Sequence, residues 1–164
     1  MMLGIILKLY ALRRKIKLLF YKVLFHQKLY ANKIYFRNNF YLRVLGDAKL
    51  IIGNNTFFNN QCSVVALHKI TIGENCLFGE NVKIYDHNHR FNQANTLISK
   101  QGFYFKDVVI GNNVWCGSNV TILAGARIGD NSVIGAGCVI KSEIPCNSLV
   151  IRNDDLEIQK IVYK

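Results

Sequence analysis

Residues 83–91 read Lys-Ile-Tyr-Asp-His-Asn-His-Arg-Phe, which puts His87 and His89 two positions apart behind Asp86. Two imidazoles and a carboxylate this close could hold a metal, move a proton, or form the polar end of a strand. A neutral imidazole, with an ordinary pKa near ~6.5, can accept the proton of an attacking hydroxyl and hand it on to a departing group. In an extended strand, residues two apart share a face. His87 would then sit beside His89, and Asp86 would point away from both. The choice among the three chemistries depends on the scaffold around these nine residues.

That scaffold is repetitive. From Ile110 the chain reads IGNNVW, CGSNVT, ILAGAR, IGDNSV, IGAGCV, IKSEIP, and earlier blocks repeat the form: IGNNTF from Ile52, FNNQCS from Phe58, IGENCL from Ile72 and FGENVK from Phe78. Each block opens on an aliphatic, aromatic or Cys residue, and its fifth position is mostly small. A six-residue period fits neither a 3.6-residue helix nor simple strand alternation. It suits a solenoid of short flat strands joined by tight corners, with the first position facing inward and Gly or Asn at the corners. The expectation is an all-β prism of about five coils stacked at strand spacing, ~4.8 Å. Cys62, Cys76 and Cys138 take the small fifth position and Cys116 the inward first one, so packing accounts for four of the five cysteines.

The ladder also locates the histidines. After Phe78 and Ile84 the next inward residue should be 90, which is Arg, and phase returns only at Ile110. The 20 residues 90–109, rich in aromatic and polar side chains, are therefore expected to protrude as a loop with His89 at its root. Loops on rigid scaffolds are common sites of substrate contact. This divides the chain into a basic N-terminal segment (1–43), the prism with its loop (44–145) and a tail (146–164).

Charge is concentrated at the start. Residues 1–46 carry ten Lys or Arg and no acid, whereas the remainder has eleven against ten. Residues 1–43 are expected to begin with a helix. Its longest uncharged run is seven residues, far short of the ~20 needed to cross a bilayer. The charges follow the apolar run instead of preceding it, the reverse of a secretory signal. A helix lying on the inner membrane face fits the mixture of Lys, Arg, Leu and aromatics, and so does a helix packed on the prism. The cations recur around most of a helical wheel. No nucleic-acid-binding motif accompanies them, and nucleic acid is not an expected partner. Five cysteines without a CxxC pair or an export signal suggest reduced thiols in the cytoplasm.

The repeated [Leu/Ile/Val]-Gly-x-x-small-x pattern resembles the hexapeptide-repeat acyltransferases. In that family three hexapeptides make one turn of a left-handed parallel β-helix; the hand comes from the resemblance. The segment NVKIYDHNHRF, followed by VVIGNNVWCGSNVTILAGARIGDNSVIGAGCVIKSEIP, is similar to the branch that contains galactoside, maltose, streptogramin and polysaccharide O-acetyltransferases. The resemblance implies a histidine general base. Counting from Asn81-Val82, that base falls on His89, or on His87 if short gaps shift the match by two. Asn81 matches a position that contacts the acceptor, and Asp86 is assigned to the acceptor side with it.

The resemblance further implies a homotrimer with acetyl-CoA in the groove between prisms. The pantetheine arm would lie along Trp115, Gly117 and Ser118 and along Gly135 and Ala136. No metal is expected. The family's usual Thr-Lys-Asp-Ile-Pro is here Lys141-Ser142-Glu143-Ile144-Pro145, so Lys141 and Arg152 are the candidates for the CoA phosphates. The acceptor implied is a carbohydrate, foremost a surface polysaccharide or its lipid-linked precursor. A soluble sugar, a nucleotide-linked amino sugar or an antibiotic is the alternative. Two other classes share the prism: a zinc lyase like the γ-carbonic anhydrases, for which His68, His87 and His89 have the wrong spacing, and a non-catalytic scaffold.

Overall fold

The computed structural model describes residues 2–152, apart from the side chains of residues 2–7 and 10. After the helix Met2–Leu24 the chain is a parallel β-helix of three sheets and about six turns. The first sheet stacks Leu29–Ala31, Lys49–Ile52, Lys69–Ile72, Val108–Ile110, Arg127–Ile128 and Glu143–Ile144. The second stacks Tyr35–Phe36, Phe57–Phe58, Leu77–Phe78, Trp115–Cys116, Val133–Ile134 and Leu149–Val150. The third stacks Tyr41–Val44, Ser63–Ala66, Lys83–Tyr85, Thr121–Ile122 and Val139–Ile140.

The register reproduces the hexapeptide arithmetic. Ile110 pairs with Ile128, Cys116 with Ile134 and Ile122 with Ile140, each 18 residues on and so three hexapeptides per turn. First-position side chains fill the interior: Ile52, Ile72, Phe58, Phe78, Ile84, Ile122 and Ile134 are all buried. Phe40, Phe58 and Phe78 form a column with ring centroids 4.8 Å apart, matching the coil spacing. The fifth positions do more than fill space. Thr56 Oγ1 donates to Gly73 O at 2.9 Å, and the Cys62 and Cys76 thiols donate to Gly79 O and Gly111 O at 3.1 Å. Small polar or polarisable residues therefore tie these three corners to the next coil.

The coils extend beyond residues 44–145 at both ends. Leu29–Ala31 already pairs with Leu50–Ile52, and Leu149–Val150 with Val133–Ile134. The first coil lacks the Gly of the repeat and carries Ile34, Phe36 and Phe40 inside, so its pattern reads as basic and aromatic. Of the expected tail, residues 153–164 lie outside the described residues.

The helix covers the open end of this first coil. Tyr21 is buried, packs edge-on against Phe40 at 6.4 Å and donates its hydroxyl to Phe40 O, which also accepts from Lys17 Nζ. Leu18 and Phe25 pack beside it.

Candidate active site

The interruption is a hairpin. Ile72, Phe78 and Ile84 pair with Ile110, Cys116 and Ile122, 38 residues on, which is a regular turn plus 20 residues. His87–His89 runs antiparallel to Phe103–Phe105, with His87 opposite Phe105, Asn88 opposite Tyr104 and His89 opposite Phe103. Val108 is already back in the first sheet. The excursion thus begins before residue 90. His87 lies at its root, and His89 is two residues further out along an arm.

Asp86 is the pivot. The chain bends there as it leaves the third sheet; Asp86 still follows Val82 and Ile84 inward, and its carboxylate has no exposed surface. One coil earlier, Leu45 N donates to the Ala66 carbonyl. At the matching corner the Asp86 side chain is the acceptor: its Oδ1 accepts from Leu67 N at 2.9 Å and its Oδ2 from His68 N at 2.8 Å. Oδ1 also lies 3.0 Å from His87 Nδ1, which corrects the expectation that Asp86 points away from both histidines. Lys106 N donates to Asp86 O at 3.0 Å and closes the hairpin base.

Opposite residues of an antiparallel pair share a face. One face of the hairpin therefore carries His87, His89, Phe103 and Phe105, and the other carries Asn88 and Tyr104, joined by an Asn88 Nδ2 to Tyr104 hydroxyl bond of 3.1 Å. His87, with a side chain 17% exposed, lies edge-on to Tyr85 and Phe103. Its Nδ1 is held by Asp86, so Nε2 is the nitrogen left to face outward. His89 is exposed, with its ring 4.4 Å from that of Phe103.

The sequence did not single out Gln101, which is buried in the loop; its side-chain amide bonds Gln93 N, Gln93 O and Thr96 O. His68 pairs with Asp107 at 3.1 Å and stacks on Phe105, so it braces the other arm. The alternation of Phe103, Tyr104 and Phe105 was the available signal for that arm.

The remaining candidates lie elsewhere on the prism. Asn81 occupies a corner with φ of +56°, donates to Asn119 Oδ1 at 2.8 Å and accepts from Lys83 Nζ. It belongs to a ladder of corner asparagines repeated at Asn55–Asn75, Asn113–Asn131 and Asn131–Asn147. Trp115 stands outward on the second sheet, 54% exposed, between Leu77 and Val133. Gly117 and Gly135 are small because the coils are close: a Cβ at Gly117 would sit 2.7 Å from Ala136 N, and one at Gly135 would sit 3.0 Å from Val150 O. Ser118 is half-buried, and Ala136 and Lys141 are exposed. Arg152 reaches Gly137 O at 3.4 Å. The second sheet offers an apolar strip with Arg152 just past its last strand, which suits an apolar arm ending in phosphates; Lys141 follows Val139–Ile140 of the third sheet. Among the described residues no cluster of three or more His, Cys, Asp or Glu could hold a metal ion.

The six-repeat bacterial transferase hexapeptide family matches residues 107–142, and the succinyl-transferase hexapeptide repeat matches residues 69–84. A maltose O-acetyltransferase structure from Clostridium difficile 630 superimposes with a TM-score of 0.67 at 33% identity, covering 87% of this chain and 75% of that one. The chain belongs to the hexapeptide-repeat transferase family. A hexapeptide-repeat acetyltransferase from Vibrio cholerae, solved with acetyl-CoA bound, matches at 26% identity and a TM-score of 0.59, covering 68% of this chain and 64% of that one. A putative lipopolysaccharide-biosynthesis O-acetyltransferase of Escherichia coli is 32% identical over 116 residues, 66% of this chain and 59% of that protein. The chain spans about half the length of the curated relatives it matches, from 46% to 59% in three of them.

Proposed function

We propose that this hexapeptide-repeat protein transfers the acetyl group of acetyl-CoA to a sugar hydroxyl. The observation that carries the reading is the histidine-bearing hairpin, braced at its root by Asp86 and raised from a prism whose outward Trp115 strip suits the co-substrate. Bound acetyl-CoA supplies the acetyl group as a thioester; the chain supplies position and proton transfer.

His89 is the general base. It is accessible, it shares a face with Phe103 and Phe105, and it is the histidine to which the family count leads. His87, locked by Asp86, positions the arm that carries it. The imidazole takes the acceptor hydroxyl's proton as the oxygen attacks and returns it to the departing thiolate. The exposed rings of Phe91 and Phe105 give the faces of a sugar an apolar surface to lie on.

The acceptor is a surface polysaccharide or its lipid-linked precursor, a reading supported by the lipopolysaccharide-linked relative and by the basic N-terminal helix. The reaction belongs on the cytoplasmic side, where acetyl-CoA and free thiols are found together. A trimer is part of the proposal, with Asn81 near the acceptor and Lys141 and Arg152 near the CoA phosphates. The outward row of Tyr35, Leu77, Trp115 and Leu149 along the second sheet is a large exposed apolar surface, of the kind that monomers seldom leave uncovered. The maltose O-acetyltransferase favours a second reading, acetylation of a soluble sugar.

The test follows free CoA thiol released from acetyl-CoA with maltose, galactosides and isolated polysaccharide as acceptors, alongside the acetyl content of polysaccharide from a deletion strain. Transfer to polysaccharide with loss of acetyl in the strain supports the first reading, and transfer confined to small sugars supports the second. Absence of transfer to any acceptor overturns both. An unchanged rate in His89→Ala would move the base to His87.

A further inference from the structure

The helix Met2–Leu24 has two apolar faces, and the prism uses one. Successive residues turn by about 100°. Tyr21, Leu18 and Phe25, which pack on the first coil, centre on one side of the axis. Leu9, Leu12, Ile16, Leu19, Phe20 and Val23 occupy an arc about 100° wide on the opposite side, and each is between 54% and 71% exposed. That arc contains no polar residue, and Met2 and Ile5 continue its three-four spacing in the sequence. Exposed Lys8 and Lys15 border one edge of the arc, and exposed Arg13 borders the other. The cations that seem scattered around a bare helical wheel are thus sorted: they surround the outer stripe and never enter it.

Two occupants suit a stripe of this kind, another helix or a lipid surface. The charges decide between them. In a parallel pair of these helices, Lys8 of one copy would face Arg13 of the other, and the first 46 residues contain no acid to relieve the repulsion. The same cations are complementary to anionic headgroups. An apolar arc edged by Lys and Arg is the form of a helix lying in the interfacial plane. No described helix is long and apolar enough to cross a membrane, so the contact is lateral. Beside Arg13, the residues Arg14, Lys17 and Arg37 line a groove with Asn38 and Asn60, which offers headgroup phosphates a place at the stripe's edge.

We infer that the outer face of the N-terminal helix docks the protein onto an anionic lipid bilayer, with the prism standing away from the surface. This inference rests on the helix alone and is independent of the acetyltransferase reading. A trimer of parallel prisms would present three such helices at one end, and their combined attachment would exceed that of one.

The test is co-sedimentation of the full chain with phosphatidylcholine vesicles, with and without phosphatidylglycerol. Binding to the phosphatidylglycerol vesicles that weakens as salt is raised is the expected result. The pair Ile16→Asp and Leu19→Asp should lower the partition coefficient at least ~100-fold. The pair Lys8→Gln and Lys15→Gln should lower it about 30-fold. Both variants should melt close to the parent, because the altered side chains are exposed. Equal binding to neutral vesicles overturns the inference, and so does unchanged binding by the aspartate variant. If vesicles are not bound and the lipid-free parent sediments as a larger species than the aspartate variant, the stripe covers a second copy and the lipid assignment fails.

Discussion

Asp86→Asn isolates the group that joins the scaffold to the site. The carboxylate has no exposed surface and meets three donors: the amides of Leu67 and His68 at 2.9 and 2.8 Å, and His87 Nδ1 at 3.0 Å. Each bond to a charged acceptor contributes roughly 1.5–3 kcal/mol. An asparagine keeps one accepting oxygen but turns an NH2 group toward the other donors. At least one fixed backbone amide then faces another N–H and loses its partner. The variant should therefore lose roughly 2–4 kcal/mol of stability, which for a chain of this size lowers the melting temperature by roughly 5–15 °C. Thermal melting reads the global effect. Hydrogen exchange at the Leu67 and His68 amides reads the local one, and should accelerate about 30- to 900-fold for that range of free energy. A cycle with His87→Ala should give a coupling of roughly 1–2 kcal/mol. If Asp86→Asn melts within 2 °C (roughly the effect of half a kcal/mol) and leaves both amides protected, Asp86 is not the pivot described.

Loss of a positioned base should cost roughly 10²–10⁴-fold in kcat. His89→Ala should show that fall without a change in melting temperature, whereas His87→Ala should lower both. The four buried thiols Cys62, Cys76, Cys116 and Cys138 should resist alkylation in the native protein while exposed Cys146 reacts at once; five equally fast thiols would contradict the packing. Burial raises the Cys62, Cys76 and Cys116 pKa values. A folded pKa above the unfolded one gives stability that is complete below the unfolded value and is lost as pH rises. Melting temperature should thus fall above about pH 8.5, and replacing Cys116 by Val should flatten that slope. Gly117→Ala should destabilise by roughly 1–3 kcal/mol, because its Cβ would sit 2.7 Å from Ala136 N. If it weakens acetyl-CoA binding with no change in melting, the cofactor explains that glycine better than coil stacking does.

The coils were legible because packing repeats. A solenoid interior places the same demand on every sixth residue, so Ile72, Phe78, Ile84, Ile110, Cys116 and Ile122 announce themselves by spacing alone. The first coil escaped because its corner residues are Asn, Lys and aromatics, with Ile34 and Phe40 where later coils use small residues. Its phase also shifts: Ala31 to Phe36 is five residues where Ile52 to Phe58 is six. A pattern search keyed to Gly and a strict six-residue step passes over such a coil, although the backbone pairs all the same.

The partners of Asp86 were not legible for a different reason. Strand alternation from Val82 and Ile84 places Asp86 inward, but it does not say what a carboxylate meets where the chain leaves the third sheet after Tyr85. It meets the corner amides of Leu67 and His68, 19 and 18 residues earlier, two long-range hydrogen bonds that local spacing does not reveal. The carboxylate that caps this corner also holds His87, so one residue joins the scaffold to the histidine-bearing arm.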